Sequence, residues 1–507
     1  MMERIFILAF LLPALSAAQE KHDHPAPEKL GTVSFPTSCR PGVQQEFNRA
    51  VALLHSFAYR PAEEAFNSVA AQDPHCATAH WGVAMTHFHQ LWEPHLPSEG
   101  ISVAQNEIRQ AEMLNAATER ERGFINALGL ILNDPAVPYS TRASNYEVAM
   151  HDLAAANPKD VEVQVFYALA LISNASPTDK THFKQKQAAA LLEPLYRKFP
   201  NHPGIPHYLI HACDSQELAS RGLGAARAYA GIAPSAPHAL HMPSHIFTRL
   251  GMWDDSIESN LAARAAARQQ GDTGEELHAM DYLVYAYLQS GRDQEAAQVI
   301  QSISSMQNLD LGDFKSGYAV TAMPIRYIVE RRQWSEAEKV ALPPSSALPQ
   351  VLAIAVWARG FGFARNGHPK EVRKLAEALR QIEDRLRASG AAYWATQVNI
   401  MTREVLAWSA QAEGRSDEAA AVLGGAADDE DRIEKLPATP GPIIPAREQL
   451  GELLIEQGNF AAASKAFETA LVNAPGRRGA LQGAARATHC LCAEVVVASK
   501  PGGGEAN

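Results

Sequence analysis

A glycine followed five residues later by a small side chain recurs through the second half of this chain, at Gly251/Ser256, Gly291/Ala296, Gly414/Ala419 and Gly458/Ala463, with Gly367/Val372 a looser copy. Glycine lets a helix end in left-handed backbone, and the small residue lets the following helix approach the one before it. These marks stand 40, 76, 47 and 44 residues apart in order, and the double gap has room for a unit around Trp334 and Ala337. The last unit also carries Leu450-Gly451, Leu454, Phe467, Ala470 and Pro475. One such helical hairpin cannot bury its apolar face alone, so neighbours must stack on it. Strand signals are almost absent, and the expected fold is an all-α helical-hairpin solenoid.

Upstream the pattern is weaker. Ala62, Phe66 and Pro74 keep the second-helix spacing, Trp81-Gly82 opens the next unit, and Phe47, Val51, Leu54 and Phe57 follow a helical period. Two segments break it. Leu342 to Gln350 holds Pro343, Pro344 and Pro349 and reads as a joint between solenoid blocks. Gly424 to Pro445 runs through Asp428-Asp429-Glu430-Asp431 into four prolines and reads as an exposed acidic loop. The organisation expected is a signal peptide over 1–18, an extension over 19–43, a first block over 44–341, the joint at 342–350, a second block over 351–490 and a tail over 491–507, disordered from about Ser499 onward.

The 507 residues hold 56 acidic against 45 basic side chains, a net charge of −11, which argues against nucleic-acid phosphates or anionic lipid as principal partners. An apolar run from Ile5 to Leu15 followed by Ser16-Ala17-Ala18 reads as an export signal, placing the protein in the periplasm or outside the cell, with no integral membrane segment after its removal. Of five cysteines, Cys39 and Cys76 flank the first helix pair and are placed to close a disulfide that pins the amino-terminal cap. Cys213 reads as a buried spectator.

These positions resemble the tetratricopeptide repeat (TPR) superfamily over roughly residues 44 to 487. Segments such as Asp73-Pro74-His75-Cys76-Ala77, Pro237 to His245 and His278-Ala279-Met280-Asp281-Tyr282 are similar to those of exported bacterial TPR proteins. The resemblance implies a right-handed superhelix that grips a protein or peptide partner in its concave groove, and it transfers no catalytic residue. The long period, and Arg447 where the repeat expects tryptophan, depart from it. Tyr208, Tyr282 and Tyr285 are candidates for the floor of that groove, stacking on a peptide or sugar, with filler between helices as the alternative and commoner role, and Arg249 and Arg326 are lone charges placed to meet a ligand carboxylate.

The histidines are unevenly spread, six of the 19 lying between His202 and His245. His207, His211 and Asp214 share one helical stripe, as do His278 and Asp281. Pro243 would open a helix, leaving His238 and His241 on the loop before it and His245 within it. If segments 205–214, 243–250 and 276–289 are neighbouring first helices, His207, His211, Asp214, His238, His241, His245, His278 and Asp281 converge. Imidazoles with a carboxylate are ligand sets for zinc, iron or copper, with Asp214 or Asp281 as the candidate base. The alternative is a set of groove-lining hydrogen-bonding histidines. His75, His80, His87, His89 and His95 disperse around their helix, and His22-Asp23-His24 reads as chance. No HExxH, GxSxG or GxxxxGK[ST] motif is present. The primary reading is therefore an exported binding or scaffold protein, against a metal-dependent enzyme or metal-binding protein as the rival.

Overall fold

The computed structural model describes residues 28–91, 96, 98–307, 309–344 and 346–498. The export signal at 1–18, His22 to His24, Trp92, His95 and the tail from Ser499 lie outside the described residues. Within them every regular element is a helix, and the helices run as consecutive antiparallel hairpins from Gln44–His55 and Tyr59–Gln72 to Phe460–Asn473 and Arg478–Ala498. Each packs on its successor and often on the next but one, as helix Thr273–Gln289 does on Asp293–Ser302 and Phe314–Glu330. This is a TPR-like, all-α solenoid. No helix among the described residues is long and apolar enough to cross a membrane.

The repeat signature acts through a small-against-large fit. Phe467 is clamped between Gly451 and Gly483, where an added Cβ would lie 2.6 and 2.2 Å from its ring, and Gly82 lies against Phe66 in the same way at 2.3 Å. A methyl group at any of these would push the helices apart. All five recurring glycines, Gly251, Gly291, Gly367, Gly414 and Gly458, have φ between 68° and 78°. Their partners Ser256, Ala296, Val372, Ala419 and Ala463 are fully buried.

The amino-terminal cap is built as expected. Cys39 and Cys76 form a disulfide across 37 residues, beside a buried aromatic cluster of Phe35, Phe47, Trp81, Phe124 and Phe166. Loop-closure entropy predicts that the Cys39→Ser/Cys76→Ser pair loses about 3–4 kcal/mol, to be read from denaturant midpoints in oxidised and reduced protein. Cys213 is free and buried, and Cys490 and Cys492 are free. The proline segment at 342–350 does not interrupt packing, because helix Phe314–Glu330 contacts helix Pro349–Arg365 across it.

The exposed acidic loop expected over 424–445 is not there. Asp428 to Asp431 end helix Ser416–Asp431, where Arg447 binds Asp428 and Asp431 and Arg403 binds Asp429, so the charge run is neutralised in place. The chain from 432 to 445 then threads inward as a strap against helices Thr273–Gln289 and Phe314–Glu330. Arg326, fully buried, donates to the carbonyls of Gly441, Pro442 and Ile443 at 2.8–3.4 Å, and the Tyr282 hydroxyl donates to those of Pro437 and Thr439. Irregular backbone can be buried here because these side chains satisfy its carbonyls.

Candidate metal centre

Four helices of the middle hairpins bring the histidines together: Gly204–Ala212 carries His207 and His211, Pro237–His241 carries His238 and His241, Pro243–Arg249 carries His245, and Thr273–Gln289 carries His278. The convergence expected from sequence is present, with one local change: His238 and His241 stand on a short helix rather than a loop. All six rings are buried, with exposures of 0–6%. They form two adjoining triads, His207/His211/His238 and His241/His245/His278, and in each triad one ligating atom per residue lies within 4.8 Å of the others. Across the seam, the His211 and His245 ring centroids are 5.9 Å apart and those of His238 and His241 are 6.0 Å apart.

The tautomers follow from what lies behind the rings. His207 Nδ1 is 2.5 Å from the carbonyl of His55, so it carries the proton and leaves the Nε2 lone pair facing inward. Asn260 donates its amide to the carbonyl of Ser256 and turns Oδ1 to His241 Nδ1 at 2.6 Å, which fixes the same tautomer. His245 Nδ1 donates to Asp214 Oδ2 at 2.9 Å. His238 Nδ1 lies 3.2 Å from Glu275 Oε2, whose other oxygen takes Lys315. Such outer partners orient metal-ligating imidazoles and raise their basicity.

The inward nitrogens then meet each other. His207 Nε2 and His211 Nε2 are 3.1 Å apart, and His241 Nε2 and His245 Nε2 are 3.0 Å apart. His241 and His245 both carry their proton on Nδ1, so two lone pairs face each other there and repel unless a cation lies between them, whereas His211 Nδ1 has no partner among the described residues and its Nε2–H can donate to His207. Two nitrogens each about 2.0–2.1 Å from one ion, at angles between 90° and tetrahedral, lie about 2.9–3.4 Å apart, so the observed spacing fits a shared metal. Burial holds His207, His211, His241 and His278 well below the ordinary imidazole range and His245 down to about 4, keeping the rings in the neutral form that binds metal.

The two aspartates read from sequence as ligands or bases take other places. Asp214 Oδ2 is shared by His245 Nδ1 and Lys435 Nζ, and Oδ1 by Arg249 Nε, at 2.8–2.9 Å. It is a positioning group behind the ring. Although burial opposes its charge, Lys435 and Arg249 hold its carboxyl well below the usual range. Asp281 faces away from the triads, toward Arg326 Nε at 3.9 Å, and burial raises it to about 6. The residues read as a groove floor are buried too. Tyr208 meets His55 Nδ1 at 3.0 Å, Tyr282 holds the strap, the Tyr285 hydroxyl accepts from Arg477, and Arg249 is committed to Asp214.

A third histidine group went unrecognised in the sequence because its members are scattered. His55 Nε2 and His202 Nε2 bind the two oxygens of Glu162 at 2.8 and 2.9 Å. Burial opposes ionisation of Glu162, but His202 and His55 pull it down to about 2. The carboxylate has taken both nitrogens, so this is a hydrogen-bonded brace that presents the His55 carbonyl to His207. Gly204 is the one local signal, since a Cβ there would lie 2.7 Å from His55 Nδ1. Asn260, Glu275 and Lys435 were also missed; Glu275, one helical turn before His278, was the most legible of them.

No protein-family model matches the chain, and no curated protein matches it in sequence. Among solved structures it is similar to a human IFIT1 dimer with m7Gppp-AAAA at 10% identity, covering 84% of this chain and 90% of that one with a TM-score of 0.37. It is similar to the P58(IPK) TPR domain at 11% identity, 89% and 99% coverage and a TM-score of 0.22. It is also similar to Naa15/Naa10 bound to HypK-THB at 10% identity, 90% and 64% coverage and a TM-score of 0.25. These likenesses carry nothing about the histidine cluster.

Proposed function

We propose that this chain is an exported metal-binding protein, a TPR-like solenoid that encloses a transition metal in its histidine triads. The observation that carries the reading is the 3.0 Å contact between His241 Nε2 and His245 Nε2, two rings whose Nδ1 protons are already committed to Asn260 and Asp214. Action outside the cytosol accords with the Cys39–Cys76 disulfide, a bond that persists in oxidising compartments.

Protein purified without an affinity tag, stripped with chelator and reloaded with zinc, copper or iron, is expected to retain metal through gel filtration. Saturation at about a thousand times Kd should stabilise it by about 4 kcal/mol, seen as a rise in Tm that chelator reverses. His207→Ala and His241→Ala should each lower the retained metal. Retention of less than about a tenth of an equivalent after every loading, with Tm unmoved, would overturn the reading.

A further inference from the structure

We infer that the cluster is a two-copper centre, one ion in each triad, and that it takes dioxygen between the ions. This rests on the metal-binding reading above and goes beyond it in metal number, identity and chemistry.

The donor set divides in two. Each triad supplies three imidazoles and closes around its own short Nε2–Nε2 contact, so one central ion cannot satisfy both contacts. The rings adjoin across the seam at 5.9 and 6.0 Å, which brings the two ions into the range where one small ligand bridges them; two-metal sites commonly place their ions about 3.5–4 Å apart.

Charge selects the metal. The six donors are uncharged. Behind them, Asp214 is matched by Arg249 and Lys435, Glu434 by Lys180, Glu275 by Lys315 and Asp281 by Arg326, while Glu162 is held by two histidines, so five carboxylates stand against five cations and the surroundings hold no surplus of negative charge. Two divalent ions would bring four positive charges into a buried site with nothing to offset them. Two copper(I) ions bring two and accept imidazole coordination, whereas non-haem iron sites ordinarily include a carboxylate ligand.

The same balance selects the chemistry. Oxidation of both ions to copper(II) alone would double the buried charge. Reduction of dioxygen by two electrons, one from each copper(I), makes a bridging peroxide dianion and leaves the total at two positive charges. Two copper–oxygen contacts to each ion form, the oxygen–oxygen single bond stays intact, and no proton moves. A cavity of about 160 Å³, lined in part by Tyr318, Trp357 and Trp394, also touches Arg249 and Lys435, which are two hydrogen bonds from His245 by way of Asp214.

The test is anaerobic loading of the full chain with copper(I), elemental analysis, then exposure to dioxygen. The expected result is about two coppers per chain, an intense near-ultraviolet charge-transfer band that appears only with dioxygen, and little copper(II) signal in electron paramagnetic resonance because the two spins couple. Zinc-loaded wild type, which lacks the electrons, should give no band. His241→Ala should hold about one copper, give a full uncoupled copper(II) signal after oxidation and lose the band, with circular dichroism unchanged. Loading of a single copper, or of two that oxidise to independent copper(II) signals without a band, would overturn the inference while leaving metal binding intact. Failure of every metal to load would remove both.

Discussion

Asp214→Asn is expected to weaken metal binding by about 10–100-fold, although the residue touches no metal in this account. Asp214 holds His245 Nδ1, Lys435 Nζ and Arg249 Nε, and through Nδ1 it turns His245 Nε2 toward His241. An amide keeps the shape and removes the charge. The ring then loses its orienting anion, and two buried cations lose their counter-ion. Lys435 is already pushed down to about 8 by burial, against the pull of Asp214. The substitution should therefore also cost about 3–5 kcal/mol of stability, the usual penalty for removing one partner of a buried ion pair. Competition with a chromophoric chelator measures the first effect and urea unfolding of the metal-free protein the second. Unchanged affinity would mean that His245 is no ligand.

Arg326→Met carries the second large effect. Its guanidinium takes three strap carbonyls and faces Asp281, all without solvent contact. Methionine fills part of the volume and leaves those acceptors unsatisfied, a loss of about 3–5 kcal/mol. The strap should loosen at 441–443, although Tyr282, Tyr393, Gln449, the Pro177 carbonyl, the pairs made by Glu434 and Lys435 and the buried Ala438 and Ile443 still tie it down. Limited proteolysis should then cut between 432 and 445 while the helices on either side stay intact, and metal should exchange faster. A variant within about 0.5 kcal/mol of wild type and equally resistant to protease would show that the strap is seated by something else.

The repeat architecture was legible because its constraints are local. The left-handed glycines and the fit of Phe467 between glycines are properties of a few adjacent residues, and a period exposes them. The convergence of His207, His211, His241, His245 and His278 was legible for a related reason: same-face spacing on helices that a solenoid must place side by side. The remainder depends on contacts far apart in the chain. Asp214 had the right spacing for a ligand, yet Lys435, 221 residues away, draws it into an outer position. Asp281 shares a stripe with His278, yet Arg326 on the next helix decides which way it faces. The acidic, proline-rich composition of 424–445 read as solvent-exposed because Arg447 and Arg403, which neutralise it, and Arg326, which draws the strap inward, carry no pattern that names their partners.

Diffraction from metal-loaded crystals, measured on both sides of the metal's absorption edge, locates the ion itself. Anomalous density is expected inside the cluster, at bonding distance from Nε2 of His207 and His211 and from Nε2 of His241 and His245. Metal bound only at other histidines such as His80 or His87, or a fully loaded crystal with no anomalous peak among the six buried rings, would contradict the metal-binding reading.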